Sequence, residues 1–195
     1  MRCRRIAEAI SSGADIAAGK TAVAVGPENF HAELLRLGFG SSTRVKGIPG
    51  ENAGILTSKP EHWKIDKTTA MRVGMGYGFA VTGLQMAQAY ATLSNHGRIV
   101  KPHLLQGECT PGNQAISPES ADAITAMIKN PVCSTSQMNE KGKCMENAYI
   151  ASCAGFHANG HGEYVIIVAF TKPHPAHTGE EVAKPAWKKI ASVVN

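Results

Sequence analysis

The sequence reads as α/β, and three observations carry that reading. In mid-chain, Thr82 and Gln85 have the spacing of a capping box ahead of a helical run to Leu93. Further on, two apolar runs, Tyr149 to Phe156 and Glu163 to Phe170, flank His157-Ala158-Asn159-Gly160-His161-Gly162, which is hairpin chemistry. Last, Glu181 to Val194 spaces Ala183, Trp187, Ile190, Ala191 and Val194 as an amphipathic closing helix.

Taken in order, alanine-rich residues from Ser11 to Val25 predict a helix ending at Gly26. Pro27 at a first helical turn, Glu28 near the positive end and Phe30, Leu34 and Leu37 at helical spacing predict a second helix, from Pro27 to Leu37. Phe39 to Trp63 reads as loop, because Gly47, Pro49, Gly50, Gly54 and Pro60 break every period. The glycine turn Gly74 to Gly78 feeds the central helix, whose stripe of Leu84, Met86, Ala87, Tyr90, Ala91 and Leu93 predicts the buried face. Asn95-His96-Gly97 supplies the stop. Ser117-Pro118-Glu119 then starts a helix to about Lys129, closed by Asn130-Pro131, since the residue before proline is driven out of the α region. Val132 to Asn147 reads as polar and irregular. Val165 to Phe170 is wholly apolar, so its strand is expected to be covered on both faces.

Composition narrows the function classes. A chain of 195 residues with 43% apolar and 18% charged residues is one domain, or a large part of one, spanning 1–195. The net charge of +5 is scattered, and 6% aromatic content without a long basic stripe argues against nucleic-acid binding. Met1-Arg2-Cys3-Arg4-Arg5 precedes only five weakly apolar residues, which is neither a signal peptide nor a membrane anchor. Five cysteines with no Cys-x-x-Cys argue against a disulfide framework, and Cys133 with Cys144 is the pair to test for a bridge. Gly13 to Thr21 imitates a phosphate-binding loop, but five residues separate Gly13 from Gly19 where that loop needs four. Cys144, Cys153, His157 and His161 lack zinc-knuckle spacing, so neither a metal nor any other cofactor is expected.

The stretch Gly76-Tyr77-Gly78, Val81-Thr82-Gly83-Leu84-Gln85, Ala89-Tyr90-Ala91, Asn95-His96-Gly97 resembles the signature following the second active-site motif in transpeptidase domains of division- and elongation-class penicillin-binding proteins. Gly83 stands where that family usually has proline. Collinear matches flank it: Gly26-Pro27-Glu28, Leu37-Gly38-Phe39-Gly40, Ile48-Pro49-Gly50-Glu51, Trp63, and Tyr149 to Phe156. The resemblance implies a partial penicillin-recognising fold: the helical subdomain, a remnant antiparallel sheet and the C-terminal helix. It also implies peptidoglycan cross-linking through a serine acyl-enzyme, with stem peptide or β-lactam as ligand, in proteins anchored to the membrane and facing the periplasm or cell exterior.

Such enzymes need Ser-x-x-Lys, Ser-x-Asn and Lys-Thr-Gly, because a serine hydroxyl is a weak nucleophile without an adjacent base. No intact copy of any of the three is present, and no lysine has serine three residues before it. Counting back from Gly26-Pro27-Glu28, the Ser-x-Asn slot falls on Gly13-Ala14-Asp15, or on Ser11-Ser12-Gly13 if two residues are inserted. The nearest echo of Lys-Thr-Gly is Val132-Cys133-Ser134-Thr135-Ser136-Gln137, with serine replacing the cation. Asp15, Ser134 and Thr135 are therefore the candidate substrate-binding positions, and no residue qualifies as catalytic. The interval from Lys129 to Tyr149 is short for the family, implying that the strand itself is lost and that the remaining hairpin has open edges. Such edges predict a chain that self-associates or is only marginally folded, with a second copy or an upstream transpeptidase fragment as partner. The alternative from another class is a noncatalytic module that binds a cell-wall protein or peptidoglycan peptide through Gly74 to Leu84.

Overall fold

The computed structural model describes residues 8–9, 14–45, 48–56, 67–104, 111–140, 143–160, 162–176 and 178–194. The expectations for Ser11 to Gly13, Trp63 and His161 fall outside them. The chain divides into two compact units, Met1–Met127 and Ile128–Asn195.

In the first unit, helix α1 (Asp15–Val25) ends at Gly26, whose φ of 92° is a left-handed value that glycine adopts without strain. Helix α2 (Pro27–Arg36) follows, with Pro27 in its first turn. Strand β1 (Ile55–Leu56) pairs antiparallel with β2 (Phe79–Ala80), on either side of helix α3 (Lys67–Gly74). Gly19 and Gly74 bring α1 and α3 into backbone contact: a Cβ on Gly19 would stand 2.8 Å from Met71 O, and one on Gly74 2.6 Å from Ala22 Cβ. Helix α4 (Gly83–Ser94) leads into β3 (Arg98–Val100), which pairs with β4 (Pro111–Gln114), and helix α5 (Pro118–Met127) completes the unit.

The capping box at α4 forms as the sequence predicts. Gln85 N–H donates to Thr82 Oγ1 at 3.2 Å, and Thr82 N–H donates to Gln85 Oε1 at 2.9 Å. The buried face differs from the expectation. Its deepest line is Gln85, Gln88, Ala89 and Thr92, while the apolar stripe of Leu84, Met86, Ala87, Tyr90, Ala91 and Leu93 is only half-buried. The cause lies in the carbonyls of Leu37, Ser41 and Ala53, which belong to no strand ladder. Gln85 Nε2 donates to Ser41 O and to Ala53 O, both at 2.8 Å, and Gln88 Nε2 donates to Leu37 O at 3.3 Å. Glu51 ties the same loop from its other side, accepting from Thr43 N–H at 2.7 Å, Thr43 Oγ1–H at 2.6 Å and Arg44 N–H at 2.8 Å.

The second unit corrects two expectations. Val132 to Asn147 is not irregular, and no strand is missing there. Strand β5 (Val132–Glu140) pairs antiparallel with β6 (Lys143–Asn159), which pairs with β7 (Gly162–Thr171), giving a three-stranded sheet in that order. The polar run escapes recognition because Ser134, Thr135, Ser136 and Gln137 are exposed residues of an edge strand, where polar side chains are tolerated. The third strand also removes the premise of an isolated hairpin. The bridge is corrected too: Cys133 is bonded to Cys153, its cross-strand partner, whereas Cys144 stands opposite Asn139.

The chain then enters a π-turn (Gly179–Ala183) and helix α6 (Lys184–Val193). Thr178 caps it, accepting Glu181 N–H at 3.2 Å, so the closing helix begins two residues earlier than the sequence predicts. Trp187, Ala183 and Ala191 lie on Cys153, Ile166 and Val168 as the core of this unit. Trp187 Nε1 donates to Ile166 O at 2.9 Å, which satisfies the indole inside an apolar core.

Candidate functional site

Ser134 and Thr135 are consecutive residues of β5, the open edge of the sheet, and both are exposed. Side chains alternate along a strand, so the two point to opposite faces. Cys133 and Thr135 share the face carrying the closing helix, because the partner of Cys133 is Cys153 in the core under Trp187. Thr135 Oγ1 accepts the N–H of Gly179 at 2.9 Å. Ser134 points to the other face and is registered against Ser152 of β6.

Gly179 explains how closely the helix start approaches this edge. A Cβ there would lie 2.5 Å from Ser134 O, 2.8 Å from Ser152 O and 2.9 Å from Ser134 N, distances no side chain tolerates. The edge that carries the candidate residues is therefore held on three sides: by the ladder to β6, by the Cys133–Cys153 bridge and by the Gly179–Thr135 hydrogen bond. Chemically, the edge presents hydroxyls and strand N–H and C=O groups. Ser134 can offer a hydrogen bond to a carboxylate but no charge, and charge-assisted bonds are roughly twice as strong as neutral ones.

Asp15 is the first residue of α1, exposed, and belongs to the first unit. Its carboxylate is favourably placed at the positive end of that helix. Ser134 and Thr135 are thus brought together on one strand, and Asp15 stands in the other compact unit. Among the described residues no group of three His, Cys, Asp or Glu side chains is arranged to hold a metal ion.

Sequence reasoning missed three features of these units: the Cys133–Cys153 bridge, the bond from Gly179 to Thr135, and the role of Gln85. The bridge was recoverable only from register, since reading Val132 to Gln137 as a strand beside Tyr149 to Ala154 puts Cys133 opposite Cys153.

A helical unit with small two-stranded pairings, followed by an antiparallel sheet under a C-terminal helix, defines an α/β fold of the penicillin-recognising class. Residues 4–192 match the penicillin binding protein transpeptidase domain, and the chain belongs to that family as its C-terminal part. It is 35% identical over 124 residues to the probable peptidoglycan D,D-transpeptidase PbpC of Pseudomonas aeruginosa, covering 62% of this chain and 21% of that protein. It is 33% identical over 119 residues to penicillin-binding protein PbpB of Mycolicibacterium smegmatis, covering 55% of this chain and 18% of that protein. The chain therefore spans only about a fifth of the length of these relatives. Its fold is similar to the transpeptidase domain of penicillin-binding protein 3 from Burkholderia pseudomallei, with a TM-score of 0.83 at 21% identity, covering 96% of this chain and 62% of that one. No helix among the described residues is long and apolar enough to cross a membrane.

Proposed function

We propose that this chain carries the scaffold of a peptidoglycan D,D-transpeptidase without its nucleophile and is silent as an enzyme on its own. The observation that carries this reading is a conjunction. Residues 4–192 match the transpeptidase domain family, yet no serine in the sequence precedes a lysine by three. Acylation by a stem peptide or a β-lactam requires a serine whose proton a neighbouring base removes, and the Ser-x-x-Lys spacing that supplies such a pair in this family is missing from the sequence. Ser134 and Thr135 keep the place of the substrate-binding strand with hydroxyls in place of a cation, and Asp15 keeps one end of the Ser-x-Asn slot.

The test is incubation of the purified chain with a fluorescent penicillin, followed by denaturing electrophoresis. The expected gel shows no labelled band, and a covalently labelled band at the mass of the chain would refute the reading. A second reading, a noncatalytic module for a peptidoglycan peptide, is favoured by Tyr77. Its side chain is 56% exposed on a turn between Gly76 and Gly78, both at positive φ. Binding of a stem peptide that Tyr77→Ala weakens would support this reading, and binding indifferent to that change would oppose it.

A further inference from the structure

The two sulfurs of the Cys133–Cys153 bridge have different surroundings. Cys153 lies on the central strand β6 and is 1% exposed, whereas Cys133 is half-buried on β5, with no further strand outside it among the described residues. A nucleophile from solvent therefore meets the Cys133 sulfur first. Each sulfur also faces a backbone carbonyl: Cys153 Sγ stands 3.4 Å from Gly179 O, and Cys133 Sγ stands 3.8 Å from Pro131 O. A bridged sulfur has no proton, so these approaches are not hydrogen bonds while the bridge is closed. A thiol has one, and each S–H would find its acceptor already within reach. Gly179 O also accepts Lys184 N–H and keeps a second lone pair for Cys153. The fold is therefore fitted to the dithiol as well as to the disulfide.

Gly179 couples that chemistry to the sheet edge. Its N–H donates to Thr135 Oγ1 at 2.9 Å, while its carbonyl faces Cys153 of the neighbouring strand. Besides the ladder to β6, the bridge and the Thr135 bond hold the regular stretch of β5 from Val132 to Gln137, beyond which the register shifts. Opening the bridge removes the covalent tie on β5. The start of the closing helix stays on β6, because the new Cys153 thiol donates to Gly179 O and Trp187 Nε1 keeps its bond to Ile166 O. The two states thus differ at the edge and agree in the core.

We propose that Cys133–Cys153 is a reversible thiol–disulfide exchange site whose reaction partner is a dithiol, and that its closed and open states hold and release the β5 edge carrying Ser134 and Thr135. In the first step one thiolate of the dithiol attacks Cys133 Sγ, forming a mixed disulfide, and the Cys133–Cys153 bond breaks. Cys153 leaves as a thiolate and takes up the proton that the attacking thiol released. In the second step the remaining thiol of the reagent, deprotonated, attacks the reagent sulfur of the mixed disulfide. Cys133 departs and takes that proton, and the reagent closes its own disulfide. Two electrons and two protons pass from the dithiol to the protein, and an oxidised dithiol reverses both steps. This inference stands on the geometry of the second unit and is independent of whether the chain can be acylated.

The test exposes the full, folded chain to dithiothreitol, and then to its oxidised form. Alkylation mapped by peptide mass spectrometry follows the two cysteines, and hydrogen exchange follows the sheet. Cys133 and Cys153 are expected to become alkylated together in native buffer. Exchange should quicken by about tenfold or more from Val132 to Gln137 while Ile166 and Val168 in the core keep their rates, and oxidised dithiothreitol should restore the slow rates. Cys133→Ser with Cys153→Ser should exchange at the quick rate in β5 whether or not the dithiol is present. A bridge that opens only in denaturant would overturn the proposal and leave it a purely structural link. So would reduction that leaves β5 exchange unchanged, reduction that quickens β6 and β7 equally, or a response to dithiol that survives in the double variant. The parent chain alone decides the first three outcomes, so the test stands even where the double variant fails to fold.

Discussion

Replacing Gln85 by leucine removes the amide that ties the central helix to its loop while keeping nearly the same volume. Gln85 is 1% exposed, and its side chain makes three bonds: it accepts Thr82 N–H at 2.9 Å and donates to Ser41 O and Ala53 O at 2.8 Å each. Leucine would leave one N–H and two carbonyls without these partners. At about 1 kcal/mol for each group left unmatched in a buried setting, the cost is about 3 kcal/mol, a large share of an ordinary domain's stability. Thr82→Ala removes only the hydroxyl half of the cap and should cost about 1 kcal/mol. Urea unfolding measures both. Hydrogen exchange supplies the second readout: in Gln85→Leu, protection should fall in the loop from Ser41 to Gly54 more than in α5. A Gln85→Leu protein within about 1 kcal/mol of the parent, with the loop still protected, would refute the claim that polar contacts seat this helix.

Three further outcomes are expected. The Cys133–Cys153 bridge closes a separation of 20 residues, so Cys133→Ser with Cys153→Ser should destabilise by about 3 kcal/mol on chain-entropy grounds, and an unchanged urea midpoint would contradict that. Gly179→Ala places a Cβ 2.5 Å from Ser134 O, so near-ultraviolet circular dichroism should report loosened packing of Trp187, and a parent-like spectrum would deny the close approach. The hydroxyl of Thr43, followed by the N–H groups of Thr43, Arg44 and Val45, holds the Glu51 carboxyl below its ordinary value despite an opposing desolvation effect. Because the folded value is the lower one, the stabilisation is present above the ordinary carboxylate range and is lost as pH falls through the folded value. Thermal unfolding should therefore fall more steeply with acid in the parent than in Glu51→Gln, and parallel curves would remove Glu51 from the account.

The parts of the fold that local chemistry writes were legible in the sequence. Thr82 with Gln85, Pro27 at a helix start, Gly26 after a helix end and the Asn159-Gly160 turn each solve a backbone problem within a few residues. What was not legible depends on partners distant in the chain. Gln85 reaches Ala53 and Ser41 across 32 and 44 residues, and helical periodicity reports apolar spacing, so it nominated Leu84 and Leu93 over the amides. Strand β5 has polar residues on its open side and lacks the apolar alternation that marks a half-buried strand. Reading it as irregular concealed the register that pairs Cys133 with Cys153. For the candidate site, family spacing nominated Ser134 and Thr135, but the hold of Thr135 on Gly179 required the closing helix to be in place.

The central claim is that the transpeptidase scaffold persists here without a serine that can be acylated. Intact-protein mass spectrometry of the purified chain after prolonged exposure to excess benzylpenicillin tests it most directly. The account expects the mass to stay that of the unmodified chain in the folded, disulfide-bonded protein. A mass increase equal to one benzylpenicillin, mapped by peptide sequencing to a single serine and lost when that serine is changed to alanine, would contradict it.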